Sequence, residues 1–142
     1  MYRKIIEDLK KWKNSVHRKP LILQGARQTG KTWIMKEFGR TEYKNTAYLF
    51  CQENPALESL FDVPFNKERL LTGFQLICGF KIEPENTLII IDEIQDIPKA
   101  LTALKFFYEQ APEYHIICAG SLLGVSLHKD ISFPVGKVNF LN

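Results

Sequence analysis

The residues best suited to do chemistry form one run, Gly25-Ala26-Arg27-Gln28-Thr29-Gly30-Lys31-Thr32. It fits the spacing G-x-x-x-x-G-K-[ST], in which each fixed position has a task around a polyphosphate. The two glycines permit backbone angles and close approaches that a Cβ would block. Successive amide N–H groups can then aim at phosphate oxygens, and a helix starting near Gly30 adds unsatisfied donors and the positive end of its dipole. Lys31 is placed to reach the β- and γ-phosphates as a point charge, and the Thr32 hydroxyl to coordinate Mg²⁺. Trp33, next in the chain, is counted with the loop as a nucleotide contact. With glycine near 7% of residues, a chance match in a chain this long occurs roughly once in two hundred. Val135-Gly136-Lys137 lacks the first glycine and the hydroxyl residue, and is read as a turn.

A second constellation ends an apolar run: Leu88-Ile89-Ile90-Ile91-Asp92-Glu93. Ligands of open α/β sheets bind at the carboxyl ends of strands, so both acids are expected to face the phosphate site. Asp92 then holds Mg²⁺ with Thr32, and Glu93 orients or deprotonates the attacking water. Gln95 and Asp96 are weaker candidates, to tie the loop to the sheet or to cap the helix begun by Pro98. Ile116-Ile117-Cys118-Ala119-Gly120-Ser121 is another apolar run closed by small residues. Ser121 is either a turn residue or, if its strand lies between those of the loop and the acid pair, a γ-phosphate sensor.

The elements that must position these residues follow from periodicity. Ile5, Leu9, Trp12 and Val16 put an apolar stripe on a helix from Tyr2 to about His17. Leu21-Ile22-Leu23 reads as a strand buried on both faces. A helix follows from Thr32 to Phe38, stopped by Gly39. A second strand covers Asn45 to Cys51. Asn54-Pro55 starts one helix, and Asn66 caps another with Leu70, Phe74 and Ile77 on one face. Thr87 to Ile91 is the clearest buried strand. Leu101, Leu104 and Tyr108 mark a helix ending before Pro112. Tyr114 to Ala119 is a fourth strand, and residues 137–142 resemble a fifth. Apolar strands alternating with amphipathic helices predict an α/β fold, a parallel sheet covered on both faces. Sixty residues lie between Lys31 and Asp92, enough for two crossovers.

Bulk properties narrow the class. The chain has 142 residues, 45% hydrophobic and 25% charged, with a net charge of +3, as expected of one globular domain. No apolar run approaches the roughly 18 residues of a membrane span, and the charged N-terminus does not read as a secretory signal. Cys51, Cys78 and Cys118 are expected to be reduced, mostly buried thiols, which suits a cytoplasmic location. The histidines (17, 115 and 128) have no metal-ligand spacing. Residues 1–19 carry seven Lys/Arg against two acids, +5, leaving −2 for the remainder. This amphipathic basic helix either touches DNA or an acidic partner or presents a solvated face.

The strings LILQGARQTGKTW, LIIIDEIQDIP and IICAGSLLG, in this order and separation, resemble the AAA-type ATPase domain of a large bacterial and archaeal family. Its members typically carry a C-terminal domain of unknown function. The resemblance covers nearly the whole chain. It implies a P-loop sandwich of three layers with a sheet of about five strands in the order 5-1-4-3-2. It also implies ATP and Mg²⁺ as ligands, Gly25 through Thr32 as the nucleotide loop, Asp92 for the metal, Glu93 for water and Ser121 as sensor. On this reading residues 1–19 pack on a core of residues 20–142, and the family's lid and C-terminal domain lie outside the chain. None of the arginines at 3, 18, 27, 40 and 69 reads as an arginine finger, so slow turnover is expected.

The expected function is hydrolysis of Mg-ATP to drive or switch an attached domain or partner, including a second copy of the chain. The alternative is a nucleotide-gated DNA- or protein-binding module with little hydrolysis. A small-molecule kinase would need acceptor-binding elements and a lid with arginines, and GTP selectivity an Asn-Lys-x-Asp element. Neither is found.

Overall fold

The computed structural model describes residues 2–24, 30–120 and 139–141. Its elements run in chain order α1 (Tyr2–Lys13), β1 (Leu21–Leu23), α2 (Lys31–Glu42), β2 (Asn45–Phe50), α3 (Pro55–Leu60), α4 (Lys67–Cys78), β3 (Thr87–Asp92), α5 (Pro98–Gln110), β4 (His115–Ala119) and β5 (Asn139–Leu141). A single 3-10 turn, Ile94–Asp96, links β3 to α5. All strand pairs are parallel, and the order across the sheet is β5-β1-β4-β3-β2. That is the order 5-1-4-3-2 implied by the resemblance. Residues 25–29, Ser121 and Val135-Gly136-Lys137 lie outside the described residues.

Strand side chains alternate between two apolar layers, as the two-residue period requires. Leu21, Leu23, Leu88, Ile90, Ile117 and Ala119 pack with Leu9 and Trp12 of α1 and with Ile34, Met35 and Phe38 of α2. Ile22, Ile89, Ile91, Ile116 and Cys118 face the other way, onto Leu57, Leu70, Phe74, Leu101, Leu104 and Phe107 of α3, α4 and α5. β1, β3 and β4 are buried at every position, which explains the apolar runs Leu21–Leu23, Leu88–Ile91 and Ile116–Ala119 within them. Caps set the helix starts: the Asn54 side chain accepts from Leu57 N–H and that of Asn66 from Arg69 N–H.

Three expectations need correction. The first helix stops at Lys13 rather than His17, and Val16 is 91% exposed instead of completing the stripe. Ser15 N–H bonds to Trp12 O, tightening the last turn, and Ser15 Oγ accepts from His17 N–H; such local side-chain bonds compete with helix. Gly39 does not stop α2, which runs on to Glu42. It is buried where a Cβ would collide with the Thr46 side chain of β2, so the glycine allows helix and strand to approach. On α4, Leu70, Leu71 and Phe74 form the buried face, while Ile77 is 39% exposed.

The cysteines are free thiols, Cys51 and Cys118 buried and Cys78 partly so. Among the described residues no helix is long and apolar enough to cross a membrane.

Candidate functional site

The register brings the carboxyl ends of the central strands level. Leu23 pairs with Ala119, Ala119 with Asp92, and Asp92 with Phe50. The residues that follow β3, Gly120 after β4 and the start of α2 therefore meet above one sheet edge, the position where open α/β sheets bind ligands. A cleft of about 1000 Å³ opens there, lined by residues that include Gly30, Lys31, Thr32, Asp92, Glu93 and Gly120.

Gly30 precedes α2 with φ 80° and ψ 17°, a left-handed conformation that a Cβ would penalise. Its carbonyl accepts the first helical bond, from Ile34 N–H at 3.0 Å, so the first turn of α2 points into the cleft. Lys31 reaches across the sheet edge and donates from Nζ to Gly120 O beyond β4, at 3.3 Å. Thr32 turns the other way and donates from Oγ1 to Asp92 Oδ2 at 2.7 Å. Trp33 is 56% exposed and also lines the cleft.

Asp92 is only 4% exposed, and a carboxylate this buried needs several donors to offset lost hydration. It has three. Besides Thr32, Tyr48 donates from Oη to Oδ2 at 2.6 Å, and the Glu93 N–H donates to Oδ1 at 2.9 Å. Burial raises the Tyr48 phenol well above its ordinary range, and the hydrogen bond and charge of Asp92 raise it further; this hydroxyl stays a donor. Lys36 Nζ sits 4.0 Å from the centre of the Tyr48 ring, a cation–π contact on its other side.

Glu93 adopts φ 53° and ψ 48°, a left-handed conformation that strains a non-glycine residue by about 1–3 kcal/mol. Gln95 Nε2 donates to its Oε1 at 2.7 Å. Gln95 thus bonds within the loop after β3, and not from that loop to a strand. Neither it nor Asp96 caps α5, whose N-cap is Ile97 without a side-chain bond. Asp96 instead lines the cleft, as do Gln52 and Glu53 from the loop after β2. Cys51 lies close behind. Burial pushes its thiol up to about 12, with smaller contributions from Asp96, Asp92 and Glu93, and a protonated thiol is no nucleophile.

Of the residues singled out in the sequence, Gly30, Lys31, Thr32, Trp33, Asp92 and Glu93 are thus brought to one cleft. Gly25, Ala26, Arg27, Gln28, Thr29 and Ser121 lie outside the described residues. Sequence reasoning missed Tyr48, Lys36, Gln52 and Glu53. Tyr48 read only as an aromatic in an apolar strand; its contact with Asp92 depends on β2 lying beside β3, which no local pattern announces.

Residues 17–142 match the family model described as AAA domain. No curated protein matches the chain. Among solved structures, the T158V form of Thermotoga maritima RuvB superposes with TM-score 0.57 at 16% identity, over 99% of this chain and 44% of that one. The Aeropyrum pernix ORC1 protein, solved in complex with DNA, gives TM-score 0.50 at 18% identity, again over 99% and 44%. The chain spans less than half the length of either, and at these identities the likeness is one of fold. The family match over most of the chain, the parallel order β5-β1-β4-β3-β2 and the Lys31–Thr32 start of α2 agree: the chain belongs to the AAA domain family and has its P-loop ATPase fold.

Proposed function

We propose that this domain binds Mg-ATP in the cleft above β1, β3 and β4 and hydrolyses it to switch an attached domain or partner. The observation that carries this reading is the 2.7 Å bond from Thr32 Oγ1 to Asp92 Oδ2. It joins the hydroxyl of the phosphate-loop pattern to the carboxylate sixty residues away, as a shared Mg²⁺ site requires. The donor set fits that ion: a hydroxyl and a carboxylate are hard oxygen ligands, and Mg²⁺ in such sites keeps few protein ligands besides phosphate oxygens and water. When bound, Mg²⁺ would neutralise charge on the β- and γ-phosphates and draw electrons toward the leaving oxygen.

The chain's own residues divide the remaining work. The loop from Gly25 to Thr32, with the first turn of α2, offers backbone donors to the phosphates, and Trp33 lies beside them. Lys31 exchanges its bond to Gly120 O for the β- and γ-phosphate oxygens. Asp92, held by Tyr48 and the Glu93 N–H, keeps its carboxylate facing Thr32. Glu93 takes the proton of the attacking water, and Ser121, following Gly120, contacts the γ-phosphate.

The test is Glu93→Gln. Removing the base while keeping the shape should lower ATP turnover by 10²-fold or more and leave Mg-ATP affinity within about twofold. Turnover equal to wild type would remove Glu93 from the chemistry, and the hydrolytic reading with it.

A further inference from the structure

Gln95 stands out among the residues the proposed reaction does not use. Its side chain is buried, 5% exposed, in the 3-10 turn just after the acid pair. The amide nitrogen donates to Glu93 Oε1 at 2.7 Å, while the amide oxygen is buried with no hydrogen-bond partner among the described residues. That oxygen lies against Gly120, where a Cβ would collide with it. Gly120 is also the residue whose carbonyl receives Lys31 Nζ.

A buried amide with one satisfied end is a poor structural device, because the unpaired oxygen loses its hydration and gains nothing. An apolar side chain of similar size would fill the same space without that loss. Turning the amide over offers no relief, since it would set its oxygen against the Glu93 carboxylate oxygen. What the glutamine supplies and leucine cannot is the N–H aimed at Glu93. Glu93 needs such a restraint: its backbone is held in a left-handed conformation, and its side chain borders an open cleft where a free carboxylate would sample several rotamers. Misplacing a catalytic group by about 1 Å can cost about 10²-fold in rate.

We propose that Gln95 is a positioning residue for Glu93, pinning Oε1 so that the carboxylate is presented to the cleft in one orientation. Gly120 makes room for this contact, so the end of β4 that receives Lys31 also fixes where the Gln95 amide rests. The inference rests on the hydrolytic reading of Glu93 given above, and the experiment separates the two.

Steady-state hydrolysis of Mg-ATP and thermal unfolding would be measured for the wild-type chain, Gln95→Leu and Glu93→Gln. The expected result for Gln95→Leu is a kcat at least tenfold lower, a KM for ATP within twofold of wild type, and an unchanged or higher Tm. A buried amide kept for packing alone would give the reverse, a lower Tm with kcat preserved, and that result overturns the proposal. So does a kcat within twofold of wild type. If Glu93→Gln is inactive while Gln95→Leu matches wild type, only the present inference fails; if Glu93→Gln turns over normally, the hydrolytic reading fails first. A readout independent of turnover decides the contact itself. The Gln95 side-chain amide protons, assigned by their loss in Gln95→Leu, should resist exchange in wild type and lose that protection in Glu93→Ala. Equal exchange in both proteins contradicts the contact.

Discussion

At the scale of single residues, the site is built around one buried carboxylate. Asp92 accepts from Thr32 of α2, Tyr48 of β2 and the N–H of the next residue, Glu93. Tyr48→Phe removes one donor and leaves the ring, so it should lower the unfolding free energy by about 1–2 kcal/mol in the nucleotide-free chain. In an Asp92→Ala background the same change should have much less effect, because the acceptor has gone. Urea denaturation of the four proteins measures this, and equal losses in both backgrounds would show that Tyr48 acts elsewhere. Thr32 and Asp92 are legible in the sequence because each belongs to a local pattern with a fixed spacing. Tyr48 is not. Its role depends on the neighbour of β3 in the sheet and on a hydroxyl whose partner lies forty-four residues away.

At the scale of elements, α1 shows how part of a charge run is used inside the fold. Read alone, its lysines suit a solvated face, or else DNA or an acidic partner. In the fold, Lys13 Nζ donates to Glu42 O at 2.6 Å and lies 4.5 Å from the Tyr43 ring centre, Lys10 pairs with Glu42, and Arg18 donates to Pro112 O. These contacts fasten the leading segment to α2 and to the turn before β4. They enclose His115, which shares a 2.6 Å hydrogen bond with the Tyr43 hydroxyl and packs edge-on to Trp12. Burial lowers the His115 pKa to about 4, with Arg18 and Lys13 adding to the shift. Below about pH 6.5 the unfolded chain therefore takes up a proton that the folded chain refuses until about pH 4. Stability is lost as pH falls through that window, by up to about 3 kcal/mol from this group. Denaturation curves at pH 7, 5.5 and 4.5 should show the loss, and His115→Asn should flatten it. An unchanged slope in the variant would assign the loss to other groups. The ends of elements were the least legible. Val16 continues the stripe in sequence but not in space, because Ser15 bonds to its own neighbours. Gly39, a helix stop by residue type, lies inside α2 because the contact with Thr46 requires it.

At the scale of the whole molecule, the apolar runs at 21–23, 88–91 and 116–119, short and alternating with amphipathic helices, point to a parallel sheet because strands buried on both faces carry such sequences. The order of those strands is a long-range property that periodicity does not contain; it came from the resemblance, and the fold has it. The level ends of β1, β4 and β3 then bring residues spread over the chain to one cleft, so nucleotide bound there should stabilise the entire domain. The most direct test is the thermal shift on adding Mg-ATP to the wild-type chain and to Lys31→Ala. At about one hundred times Kd, binding to the folded state alone is worth about 2.7 kcal/mol, several degrees in Tm for a domain of this size. That shift is expected in wild type, with a smaller one when Mg²⁺ is withheld and almost none in Lys31→Ala. No shift in wild type, or equal shifts in both proteins, would contradict the proposed site.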